Sequence, residues 1–441
     1  MVIIPFEFIT EHWESLITSG RVPISFSVLD DGDAYLATTI SNSHATSQRL
    51  VNGTLTTSSM SQSDPIELPP KIDLLVRIQL TEKQSITDLE KVDIQADALI
   101  KKHDGKIEIR PVQIISVRSG IFSRLHGIYE TDVLQLKTIL IIGLGSGGAP
   151  IASELAKAGV GNFILVDHDR LEIGNIARHI CGLSDLGRFK TKAVRDIILN
   201  KNPYTNVEIY QEKVVLDWLS NFQQLVGRAD LVFCCTDNRE SRAITNHACI
   251  LENRVCIYGG TFRRAYGGQV LRVIPNRTMC YQCFIDTLVG DPNDQEISNP
   301  VQASSIAYAD RPVKIEPGLA TDIAPMSIMS VKLGILEMLR GTETDLKSLY
   351  EDLSAPLYQW LNRREIDTEY SDLDPMDSSD TLRILAWYGI ENEKNPTCPV
   401  CGDFINIHSA AFNQMPDKDQ PSGFGPASGG FDDTQTFPTP E

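Results

Sequence analysis

The 441 residues are 42% hydrophobic and 22% charged, the proportions of a folded globular chain, which excludes a disordered polymer, a collagen and a small disulfide scaffold. Lys plus Arg number 40 and Asp plus Glu 58, for a formal charge of −18. Such a chain repels phosphate polyanions, which argues against nucleic acid as the main partner and for a basic or neutral protein.

No run reaches the ~18 apolar residues that suggest a membrane span, so no membrane partner is expected. Residues 1–6 are apolar but lack the basic flank and small-residue cleavage site of a signal peptide. A cytoplasmic location is therefore expected, and there the nine cysteines point to metal binding or chemistry rather than disulfides. Residues 1–117 carry strand-like runs at 24–28, 74–80 and 107–117, with a Ser-, Thr- and Asn-rich loop at 40–64. They read as an accessory α+β domain, either a protein-docking module or a stabilising platform. His103, beside Lys101 and Lys102, reads as a solvated surface side chain.

Residues 118–345 read as a second domain, and strand and helix alternate over 120–275. A buried-strand run at 138–142 is followed by a glycine-rich turn and a helical stretch over 149–158. Strands at 162–166, 207–210 and 231–234 follow, with a helix ending near 199. This alternation predicts an α/β fold with a Rossmann-like doubly wound sheet. An apolar helix is expected over 324–339, an acidic and partly helical insertion over 346–395 within a segment 346–412, and a disordered Gly/Pro/Ser/Asp-rich tail over 413–441.

Gly143, Gly145 and Gly148 fit G-x-G-x-x-G between the first strand and its helix. Glycines there permit a tight turn and let phosphate approach the backbone, while the helix N-terminus offers N–H groups to an anion. Asp167 ends the next strand, where a carboxylate takes ribose hydroxyls. These signals point to an adenine nucleotide without separating NAD from ATP.

Further motifs come in order: Asp167-x-Asp169, Asn175-x-x-Arg178, Lys190 after Gly187, Asn202-Pro203 and Thr236-Asp237-Asn238. Together they resemble the ThiF/MoeB/HesA family, ATP-dependent activators of ubiquitin and of ubiquitin-like sulfur carriers, over residues 120–345 with a further piece at 396–404. The resemblance implies that ATP and Mg²⁺ are bound. Lys190 would contact the α-phosphate, Arg178 and Asn175 would hold the β- and γ-phosphates, and Asp237 would hold Mg²⁺. Asp169 would assist the metal or stay structural, and Arg124 would reach the γ-phosphate of a neighbouring subunit in a homodimer. The residue types suit adenylyl transfer, in which placement and charge neutralisation do most of the work. Against this, Asp237 could simply cap a helix, and Lys190 and Arg178 could be solvated surface charges.

Cys280-x-x-Cys283 and Cys398-x-x-Cys401 are two C-x₂-C knuckles, the pattern of a closed Cys₄ structural zinc site, with a redox dithiol as the alternative. The family carries two such pairs in this order. Cys181, Cys234, Cys235, Cys249 and Cys256 read as small core residues. Many relatives use a nucleophilic cysteine before the last apolar helix, but no cysteine lies between Cys283 and Cys398. The matching position is Lys314, two residues before Glu316-Pro317-Gly318. A lysine cannot pass an acyl group onward as a thiol does. Three explanations stay open: the chain only adenylates, Lys314 is an engineered trap, or a hydroxyl of Ser304, Ser305 or Thr321 serves.

The resemblance implies adenylation of the free C-terminal carboxylate of a ubiquitin-like protein, threaded beneath a 284–316 loop and then passed to a conjugating enzyme. The added segments suggest, by analogy, a bacterial conjugation pathway serving phage defence. Sulfur-carrier activation for thiamine or molybdenum-cofactor synthesis is one alternative. A non-catalytic scaffold is another, and an NAD-dependent oxidoreductase is the remotest because it leaves Lys190 and Asp237 without a role.

Overall fold

The structure, a computed structural model, describes residues 1–29, 34–37, 50–57, 68, 73–78, 96–102, 104–116, 120–287, 318–366, 368, 370–376 and 382–402. Of the loop expected at 40–64, the described residues 50–57 are instead a strand, paired on both sides, and the rest lies outside the described residues, as do His103, Ser304, Ser305, Lys314 and the 413–441 tail.

The N-terminal region contains β1 (Val2–Pro5), α1 (Phe6–Glu11), α2 (Trp13–Ser19), β2 (Arg21–Leu29), β3 (Ala34–Ala37), β4 (Leu50–Thr57), β5 (Leu74–Ile78), β6 (Ala96–Lys101) and β7 (Ile107–Ile115). The strands run in the order β1-β3-β2-β4-β5-β6-β7, and β7 pairs in parallel with β1 to close a barrel. Alternate residues such as Val22, Ile24 and Phe26 on β2 and Leu74, Val76 and Ile78 on β5 point inward. Phe8, Ile9, Trp13 and Leu16 of the two short helices complete this core. Strand alternation therefore governs the region, and the expected α+β domain is more closely a small β-barrel.

The second region holds α3 (Thr131–Gln135), β8 (Thr138–Ile142), α4 (Gly148–Lys157), β9 (Asn162–Val166), α5 (Lys190–Lys201), β10 (Asn206–Tyr210) and α6 (Leu219–Arg228). It continues with β11 (Leu231–Cys234), α7 (Arg239–Leu251), β12 (Val255–Thr261), β13 (Gly267–Val273), α8 (Tyr281–Thr287), α9 (Ala320–Met338), α10 (Leu349–Asp352), β14 (Leu357–Leu361) and β15 (Ala386–Ile390). The sheet order is β10-β9-β8-β11-β12-β13-β14-β15. The first five strands are parallel and the last three are added antiparallel. The segment set apart from sequence as an acidic insertion thus contributes two strands to the main sheet.

Both faces of the parallel part are covered, as its continuous apolar strands require. Ile139, Ile141, Phe163, Leu165, Leu231 and Phe233 pack with α4, α5 and α9. The alternate residues Leu140, Ile142, Ile164, Val166, Val232 and Cys234 pack with α6, α7 and α8. Among the described residues, no helix is long and apolar enough to cross a membrane.

The antiparallel extension is fastened to α9 by a buried ion pair. Arg272 on β13 meets Glu337 on α9 at 3.2 Å, and both side chains are 4% exposed. The same guanidinium also donates to the carbonyls of Leu353, Ser354 and Ala355. Removing one partner of such a pair strands the other charge away from water. Glu337→Ala is expected to destabilise the fold by about 3–5 kcal/mol, read as an earlier urea unfolding midpoint. A midpoint equal to that of the parent chain would show that the three carbonyls suffice for Arg272.

Candidate active site

β8 and β11 are neighbours, but the chain leaves β8 for α4 on one face and leaves β11 for α7 on the other. Their carboxyl ends therefore diverge and open a crevice, the usual ligand position in an open α/β sheet. A cavity of about 680 Å³ lies there. Its walls come from the glycine turn after β8, residues 167–169 after β9, the 172–179 segment, the start of α5, residues 235–238 after β11, the end of β12 and one face of α9.

The three glycines answer three different demands. Gly143 has φ +82°, and a Cβ on it would stand 2.8 Å from the Cys235 carbonyl. A Cβ on Gly148 would stand 1.9 Å from the Gly143 carbonyl oxygen, so α4 starts against the turn only because residue 148 lacks a side chain. A Cβ on Gly145 would meet nothing within 4 Å, so that position opens on the cavity. No side chain caps α4; the Ala149 N–H donates to Gly145 O and Pro150 has none, so what α4 offers an anion is the Gly148 N–H and the positive end of its dipole.

Asp167 is 7% exposed. Its Oδ2 accepts from the Leu144 N–H at 2.6 Å and its Oδ1 from the Asp169 N–H at 2.8 Å. The carboxylate expected to take ribose hydroxyls thus also shapes the glycine turn. Burial raises its pKa, outweighing Lys190 and the two N–H donors.

Lys190, 9% exposed at the first turn of α5, donates to Asp169 at 2.9 Å. Burial opposes its charge, but Asp167, the bond to Asp169 and the nearby Asp237 together outweigh burial and raise its pKa. Lys190 is therefore a buried cation held charged by three carboxylates, not a solvated surface lysine. Asp169 feels the opposite balance: burial works against its charge, while Lys190 and then His168 hold its pKa low.

Residues 170–188 form a loop pinned at its ends, where the Leu171 N–H donates to Arg188 O and the Gly187 N–H to Leu171 O. Within it the Asn175 Oδ1 accepts from the Glu172 N–H at 3.0 Å, and the Arg178 N–H donates to Asn175 O. Both residues reach the cavity wall. Asp237 also lines the cavity. The cap of α7 is Asn238, whose Oδ1 accepts from the Ser241 N–H at 2.9 Å, so the capping role considered for Asp237 falls to its neighbour. Arg124 is exposed and is not part of this chain's cavity wall.

Three contributors were not singled out from sequence. Buried Arg242 donates to the carbonyls of Thr236 and Gly259, tying the end of β11 to that of β12. Its signal was its place one helical turn after the Asn238 cap. Ser327 on α9 donates to Gly147 O. His179 bridges the Leu144 carbonyl and the Cys181 N–H, and its adjacency to Arg178 was the only hint.

On the opposite face of the sheet, Cys280, Cys283, Cys398 and Cys401 are buried, with all four sulfurs within 4.8 Å of one another. The Sγ–Sγ separations are 3.9 Å for Cys280–Cys283, 3.7 Å for Cys280–Cys398 and 3.4 Å for Cys283–Cys401. Tetrahedral thiolates at Zn–S ≈ 2.3 Å sit about 3.8 Å apart, so the donor set fits a closed site. None of the four lines the cavity. Burial pushes the thiols of Cys181 and Cys234 up to about 12 and about 11, which suits core packing rather than nucleophilic work.

Residues 121–398 match the ThiF family. The chain belongs to the ThiF family. Ubiquitin-like modifier-activating enzyme 5 of Caenorhabditis elegans is 29% identical over 206 residues, covering 43% of this chain and 48% of that protein. Its namesake in Xenopus laevis is 28% identical over 224 residues, covering 47% and 55%. SAMP-activating enzyme E1 of Haloferax volcanii is 25% identical over 266 residues, covering 60% and 80%. The chain thus spans about half the length of the enzyme 5 relatives it matches. Among solved structures, Escherichia coli MccB is 18% identical with a TM-score of 0.45, covering 62% of this chain and 67% of that one.

The different constraints on the glycines of this ThiF-family turn can be separated by mutation. Gly148→Ala is expected to cost about 1–3 kcal/mol through overpacking, and Gly145→Ala to stay within about 0.5 kcal/mol of the parent. Thermal melts of the two variants test this, and equal melting temperatures would contradict it.

Proposed function

We propose that the chain adenylates the C-terminal carboxylate of a ubiquitin-like protein with Mg-ATP and hands the activated acyl group to a partner, with a conjugating enzyme as recipient. The observation that carries this reading is Lys190: a buried ammonium kept charged by Asp167, Asp169 and Asp237, in the same cavity as an open glycine turn, Arg178 and Asn175. Family membership and the ubiquitin-like-modifier-activating relatives support the same chemistry.

In the proposed reaction, a carboxylate oxygen bonds to the α-phosphorus. The bond from that phosphorus to the bridging oxygen of pyrophosphate breaks, and pyrophosphate departs. Lys190 neutralises charge growing on the α-phosphate, the α4 N-terminus and Gly145 backbone cradle the chain of phosphates, and Arg178 with Asn175 holds its far end. Mg²⁺, when bound, would neutralise the leaving pyrophosphate, and the oxygen donors of Asp237 and Asp169 suit that hard cation. Zn²⁺ at the four cysteines would clamp the 398–401 knuckle to α8, a structural role apart from the chemistry. In a homodimer, Arg124 would serve the neighbouring subunit's site. No nucleophile of this chain is assigned: the family position is Lys314, and the adenylate passes to the partner directly. The β-barrel and the β14–β15 extension favour a conjugation pathway over a minimal sulfur-carrier activator.

The test is carrier-dependent exchange of pyrophosphate into ATP, with small proteins encoded beside this gene as carriers. Lys190→Ala and Asp237→Ala are each expected to lower exchange by about 100-fold or more; exposed Asp237→Ala should keep the parent's melting temperature, whereas Lys190→Ala should lower it because buried Asp167 loses its neutralising cation. Full exchange in Lys190→Ala would remove the reading. Metal analysis is expected to find one zinc per chain, lost in Cys398→Ser together with thermal stability. A zinc-free chain with a redox-active dithiol would replace the zinc assignment.

A further inference from the structure

The backbone of Leu144 is held on both sides, one bond on each of its two peptide units. Its N–H donates to Asp167 at 2.6 Å, and its carbonyl accepts from His179 Nε2 at 2.7 Å. The Leu144 side chain is fully buried. The other ring nitrogen, His179 Nδ1, accepts from the Cys181 N–H at 3.1 Å. A carbonyl can only accept and an amide N–H can only donate, so only the neutral Nε2–H tautomer satisfies both contacts. The His179 backbone N–H in turn donates to Asn175 O. The imidazole thus joins the glycine turn to the segment that carries Asn175 and Arg178.

A trans peptide points its carbonyl and its N–H in opposite directions. Anchoring the Leu144 carbonyl on His179 therefore also sets the direction of the Gly145 N–H, in a turn whose flanking glycines would otherwise let that peptide rotate. Gly145 is also the position that opens on the cavity. We propose that His179 is a positioning residue that locks the Leu144–Gly145 peptide in its anion-binding orientation and couples it to Arg178. This inference rests on the reading of the cavity as a nucleotide site.

Protonation would turn Nδ1 from an acceptor into a donor facing the Cys181 N–H, so acid should release the clamp. The charged groups acting on the ring are Lys190 of α5, Asp167 after β9 and Asp185 of the 183–185 turn. Burial, with Lys190 acting in the same sense, holds the imidazole pKa below its ordinary value against the Leu144 bond and the two carboxylates. The neutral clamp therefore persists at neutral pH and is lost as pH falls below the usual histidine range.

The experiment is Mg-ATP binding to the full chain, measured by calorimetry from about pH 7.5 down to about pH 5. His179→Ala is expected to weaken binding about tenfold at neutral pH. In His179→Gln the amide N–H can serve Leu144 and the amide oxygen can serve Cys181, without titrating. That variant should bind within about threefold of the parent at neutral pH and lose less affinity than the parent in acid. ATP and the site carboxylates titrate alike in both chains, so the difference belongs to residue 179. Parent-like affinity in His179→Ala, or an unchanged acid loss in His179→Gln, would overturn the inference while the proposed function stands. A parent chain that fails to bind Mg-ATP would overturn the function and this inference together. The glutamine comparison decides the matter even if the alanine variant does not fold.

Discussion

The parting of β8 and β11 is the constraint on which the site depends. Two adjacent parallel strands send their chains to opposite faces of the sheet, which opens a crevice at their carboxyl ends. The turn after β8 must then be tight and bare, which Gly143 and Gly148 permit. The carboxylate ending β9 must hold that turn in place, which Asp167 does through the Leu144 N–H. Burying Asp167 makes its own charge costly, and Lys190 offsets part of that cost. The same lysine is in turn kept charged by Asp169 and Asp237 besides Asp167. The cation in the cavity wall is thus a product of the frame around it.

The two faces of the sheet divide the work. On one face α4, α5 and α9 pack together, and Ser327 ties α9 to the start of α4. On the other, α7 leads from Asn238 to the cysteine cluster, with the Asn246 Oδ1 accepting the Tyr281 N–H at the head of α8. Arg242, in the cavity lining, ties the end of β11 to that of β12 through Thr236 and Gly259. The cysteines stay outside the cavity, so a metal there would hold distant segments together without entering the proposed chemistry. Arg272 and Glu337 do comparable work with charges, joining the antiparallel extension to α9.

Much of this was legible in the residues. The runs 138–142, 162–166 and 231–234 are short, apolar and bounded by turn signals, and they appear as β8, β9 and β11 with those bounds. Local pattern suffices there, because a strand buried on both faces must be apolar throughout. The glycine spacing and the two C-x₂-C pairs were equally plain, since their geometry is set within a few residues.

The rest depended on pairings between distant segments. Barrel closure requires β7 to meet β1, and β14 and β15 become sheet strands only by finding β13 and each other. An acidic, poorly periodic segment carries no local mark of that partner. Nor could sequence separate Asp237 from Asn238 as the cap, since both side chains suit that position. It likewise could not find His179, whose importance lies in two contacts: one two residues away and one 35 residues away. The sequence by itself determined the parallel core strands, the bare glycine turn and the identities of the charged residues, because each follows from short-range sterics and periodicity. Only the tertiary structure decided which charges share one cavity, which peptide the imidazole holds and how the barrel and sheet edges close, because those depend on long-range packing.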